Sequence, residues 1–121
     1  MSIDHNIAYY PYSTDVKFAK SGNDYTLKVT LPSEQIYAPK SFGNGSFPMA
    51  SVSADADLTF KNVCGGIKLQ LKGTGKVGFI VIKGTNDEKL SGEAVVTVYA
   101  DEAVPSIAMS DDASTSVTLN C

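Results

Sequence analysis

The chain has 121 residues, 43% of them hydrophobic, which is enough to bury one core and too few for two ordinary domains. Its net charge is -3, and all ten basic residues are lysine, which argues against nucleic acid because phosphate clamps and bidentate base contacts favour arginine. No apolar run approaches the ~20 residues that a membrane-spanning helix needs.

Residues 1–9 show no lysine-rich start followed by an apolar stretch, so no leader is read there. Residues 7–12 read IAYYPY, and the aromatic density with Pro11 predicts an edge strand or a strand end. Residues 16–20 alternate Val16 and Phe18 with Lys17 and Ala19, and Ser21-Gly22-Asn23-Asp24 has turn composition. Tyr25, Leu27, Val29 and Leu31 then alternate with Thr26, Lys28 and Thr30, a half-buried strand that Pro32 ends. Residues 33–53 are rich in proline and turn residues but carry Ile36, Tyr37, Phe42, Phe47 and Met49. They predict a long ordered loop anchored by those side chains. Asn44-Gly45-Ser46 matches a glycosylation sequon, but a plain turn is the favoured reading because three-residue matches arise by chance.

The string ADAD at residues 54–57 sets two carboxylates on one side of an extended chain, where solvated charge is expected rather than a calcium site needing 6–8 oxygens. Leu58 and Phe60 open the next predicted strand. Ile67, Leu69 and Leu71 alternate with Lys68, Gln70 and Lys72, Gly73-Thr74-Gly75 turns, and Val77 to Ile82 is again apolar. This pattern predicts a β-hairpin at the centre of the fold. After the polar residues 83–93, residues 94–100 (AVVTVYA) predict a strand, followed by short strands at 106–109 and 116–121. No helical stripe appears. Turn signals every ~8–12 residues predict an all-β fold, an antiparallel sandwich of about seven to nine short strands in a single domain spanning residues 1–121.

Catalytic constellations are missing from this pattern. His5 is the only histidine and lies near the start of the chain, where a rigid triad is not expected. One histidine and two distant cysteines do not make a zinc set. The glycines precede no helix, so no phosphate cradle forms. The chain is expected to be no enzyme and to need no cofactor. Cys64 and Cys121 fit a disulfide in an oxidising compartment or two unpaired thiols. Tyr9, Tyr10, Tyr12 and Tyr37 are candidate sugar-stacking rings, against the simpler reading that they pack on the sheet.

Four stretches together carry a family resemblance: AYYPYS (residues 8–13), SFGNGSFPMAS (41–51), FKNVCGGIKLQLKGTGKVGFIVIKGTNDEKLSGEAVVTV (60–98) and MSDDASTSVTLNC (109–121). In this order they resemble the fimbrillin-like surface proteins of Bacteroidales bacteria over nearly the whole chain. The resemblance implies exported lipoproteins with transthyretin-like, Greek-key sandwich domains, usually two. It implies localisation at the outer membrane or in a fimbrium, a role in adhesion, and assembly by strand donation between subunits. It also implies that this chain corresponds to an N-terminal domain of a longer protein, with other chains as partners by strand addition. Sheet edges left unpaired would favour self-association. A carbohydrate-binding module, using the tyrosines on glycans, and a domain with no activity of its own are the competing expectations.

Overall fold

The computed structural model describes residues 5–121. Among these the chain forms ten strands and no helix: β1 (Asn6–Tyr10), β2 (Lys17–Ser21), β3 (Asp24–Leu31), β4 (Glu34–Ile36), β5 (Met49–Ser53), β6 (Lys61–Asn62), β7 (Phe79–Lys83), β8 (Gly92–Val98), β9 (Ser106–Met109) and β10 (Ser116–Asn120). They make three sheets, in the orders β1-β5-β6, β2-β3-β8-β9 and β4-β10-β7. Every pairing is antiparallel except that of β4 with β10. The fold is all-β and sandwich-like, with ten strands rather than the seven to nine expected.

The alternation in residues 25–31 has the expected consequence. Leu27, Val29 and Leu31 are buried while Lys28 and Thr30 lie on the wet face of β3. Residues directly opposite share a face, so Val96 beside Leu27 and Ala94 beside Val29 extend the same apolar layer across β8. Ala50, Val52 and Val63 close the core from the facing sheet, with Ile7 and Tyr9 of β1 packed at its margin. Leu27 and Val96 retain no exposed surface. Burying side chains of this size stabilises by roughly 1.5–3 kcal/mol each.

Leu31 and Gly92 form the last rung of the β3–β8 ladder. Beyond it β3 continues past Pro32 into β4, β8 is preceded by β7, and β10 lies between β4 and β7. The third sheet is thus a continuation of the large one, forked to admit a strand. Ser91, fully buried at the fork, donates its hydroxyl to the Ser116 carbonyl at 2.7 Å. Backbone bonds from Gly84 to Thr115 (2.8 Å), Thr118 to Ser33 (2.8 Å) and Tyr37 to Asn120 (2.8 Å) hold the inserted strand on both sides. No residue of β4, β7 or β10 belongs to the buried core.

Three expectations are corrected. Residues 33–53 are not one loop, since they contain β4 and β5. Strand β5 reads MASVS and is buried along both faces from Ala50 to Ser53, so it has no polar-apolar alternation to betray it. The predicted strand from Leu58 reduces to Lys61–Asn62, and Leu58 and Phe60 are exposed and unpaired. The central hairpin does not form: residues 67–71 belong to no strand, and only β7, its second half, joins a sheet.

Candidate interaction surface

Residues 65–78 form an arm rooted at both ends. At the first root Gly66 lies against the Phe42 and Phe47 rings, which stack with centroids 4.2 Å apart; a Cβ at residue 66 would stand 3.2 Å from Phe42 Cζ. At the second root the Cys121 amide donates to the Gly78 carbonyl at 2.9 Å. Between the roots a Cβ added at Gly73 or Gly75 would meet nothing within 4 Å. Ile67, Leu69 and Leu71 are 67%, 50% and 63% exposed. A run with strand periodicity therefore lies in solvent, and its backbone joins no strand among the described residues. Apolar side chains of this size gain about 1.5–3 kcal/mol each when fully covered. Exposed ion pairs are worth about 0–1 kcal/mol, so a partner would draw affinity from the Ile and Leu side chains and selectivity from the lysines between them.

The third sheet adds to this surface. Cross-strand register places Ile36, Asn120 and Phe79 in one row and Glu34, Thr118 and Val81 in the next, all on one face. Ile36 and Phe79 are exposed by 73% and 65%. Gln35, Leu119 and Ile80 make up a row on the opposite face, with Val117 and Ile82 beside it, all half-buried. Among the described residues, strands β4 and β7 each have a neighbour on one side only. Exposed apolar area of this extent, bordered by open strand edges, marks interaction surfaces.

The tyrosines do not form a common platform. Tyr9 is half-buried against the core, where burial and, secondarily, the Cys64 thiol raise its phenol above the ordinary value. It lines a cleft of about 340 Å³ with Pro11, Asp15, Val16, Thr30 and Asn44. Tyr10, Tyr12 and Tyr37 are exposed. Among the described residues the close ring pairs are His5 with Tyr25 and Phe42 with Phe47, so no two candidate tyrosines stack.

Cys64 packs at the core margin and burial raises its thiol pKa; Cys121 is exposed at the end of the third sheet. Both are free thiols, so the structure does not join the candidate pair. Asp55 is used locally: its Oδ1 accepts from the Asp57 amide at 2.9 Å and from the Ser53 hydroxyl at 2.9 Å, which hold the carboxyl below the usual range. Among the described residues there is no group of three or more metal-ligating side chains and no helix long and apolar enough to cross a membrane.

One signal in the sequence was missed. Residues 58–86 hold Lys61, Lys68, Lys72, Lys76 and Lys83 and no Asp or Glu, while all thirteen acids lie elsewhere. The arm is cationic and the body acidic, a segregation that net charge conceals. Comparison with family models, curated proteins and solved structures found no match.

Proposed function

We propose that this chain is a structural and adhesive subunit of a bacterial cell-surface fimbria, which joins its neighbours by β-strand exchange. The observation that carries this reading is the arm: a segment of strand periodicity, apolar on alternate residues, that has no strand partner among the described residues. Strand addition satisfies such a backbone and covers its side chains in one step. The open edges of β4, β7 and β9 supply acceptors of the same chemistry. The resemblance of residues 8–13, 41–51, 60–98 and 109–121 to fimbrillin-like proteins gives the assembly its cellular setting.

In this reading the chain has no catalytic activity of its own. A glycan-binding role has less support, because the exposed tyrosines Tyr10, Tyr12 and Tyr37 do not stack on one another or line the Tyr9 cleft. The test is immunogold electron microscopy of the producing cells with antibodies raised against the chain. Label along extracellular filaments is expected. Label confined to the cell interior would overturn the proposal.

A further inference from the structure

We propose that the arm of one copy adds as a strand to the free edge of β9 in a second copy, with its lysines set against the acidic turns that flank that edge. This rests on the reading of the chain as an assembly subunit and names the partner as another molecule of the same chain. Strand β9 pairs with β8 and, among the described residues, has no neighbour on its other side. Its sequence, SIAM, carries no charge. Asp101 and Glu102 lie before it and Asp111 and Asp112 after it, all four exposed. Lys68, Lys72 and Lys76 of the arm make no ion pair among the described residues.

Charge and length favour this edge over those of β2, β4, β6 and β7. The opposite edge of the same sheet, β2, carries Lys17 and Lys20 and repels a lysine-bearing strand. Strand β7 follows Lys76 and ends in Lys83, both of the arm's own sign. Strands β4 and β6 are three and two residues long and offer short ladders. The face pattern agrees as well. Ile107 and Met109 pack partly against the core while Ser106 and Ala108 are exposed. A donor of period two extends both layers, with Ile67, Leu69 and Leu71 beside Ile107 and Met109, and Lys68, Gln70 and Lys72 on the wet side. Because arm and edge are different surfaces, reciprocal docking closes a dimer and one-way docking propagates a chain of subunits.

The test uses the whole chain in light scattering coupled to size exclusion, at about 0.02 M and about 0.5 M salt. Wild type is expected to associate at low salt, with the midpoint moved to at least about tenfold higher concentration at high salt. Lys68→Glu with Lys72→Glu is expected to be monomeric, and so is Asp111→Lys with Asp112→Lys. Mixing the two variants restores opposite charge at both contacts, and association should return. All four side chains are exposed, so the fold should survive, which matching circular dichroism spectra would verify. A wild type that stays monomeric at every concentration, or a mixture that does, overturns the arm-to-β9 contact. If immunogold still labels filaments in that case, the contact fails and the subunit reading stands.

Discussion

The Leu31–Gly92 rung is where the large sheet forks, and Gly92 occupies it with φ +114°. A side chain at Gly92 would be strained in this backbone region and would stand 3.2 Å from Ala113 Cα. Gly92→Ala should destabilise the fold by about 1–3 kcal/mol. Urea unfolding should show a lower midpoint with an unchanged slope. An unchanged midpoint would mean that the fork relaxes freely.

Ser91 secures the inserted strand through its bond to the Ser116 carbonyl. Ser91→Ala leaves that carbonyl without its donor inside the protein, at a cost of about 1–3 kcal/mol. Amide exchange should quicken first in β10, whose sheet contributes nothing to the core, and only later in β3 and β8. Equal acceleration in all three strands would argue against a separable third sheet.

The contrast between core and arm is measurable with two leucines. Leu27 is fully buried, and Leu27→Ala should cost about 2–5 kcal/mol. Leu69 is half exposed on the arm, and Leu69→Ala should change stability by less than about 0.5 kcal/mol in a monomeric sample. A large effect at Leu69 would place the arm inside the folded body.

Limited trypsin digestion should cut first after Lys68, Lys72 or Lys76, in the unpaired arm, and leave Lys28 in β3 intact. Mass spectrometry of the first fragments identifies the site. Early cleavage at Lys28 would contradict the exposure of the arm relative to the sheet.

Two half-buried acids weaken the fold at alkaline pH. Burial raises both the Cys64 thiol and the Tyr9 phenol, so each is more easily ionised in the unfolded chain. Their contribution is fully present below the unfolded values and is lost as pH rises through the folded ones. Stability should therefore fall from about pH 8.5 upward, and Tyr9→Phe should flatten the upper part of that fall. The same burial makes Cys64 the slow thiol. Iodoacetamide should alkylate exposed Cys121 first, and equal rates would count against the packing of Cys64.

Much of the fold was written in the chain as local pattern. The alternation of Tyr25 to Leu31 and the β-branched run of β8 read as strands because one face of each meets a core. The lysine-only cationic stretch was equally open to reading, since it is a property of composition and order. Other features were legible only in three dimensions. Strand β5 was hidden because Ser51 and Ser53 are buried, so its polar residues do not mark a wet face. Residues 67–71 carry a strand pattern, yet periodicity states only that one face seeks cover and never which strand will provide the hydrogen bonds. Pairing is a nonlocal choice. Here β10, from the far end of the chain, took the place beside β7, and the arm has no strand partner among the described residues. The sequence by itself determined an all-β chain with a cationic, alternating segment at its middle. Tertiary structure decided that this segment would lie in solvent while β7 paired with β10, because strand pairing joins distant residues and no local pattern nominates the partner.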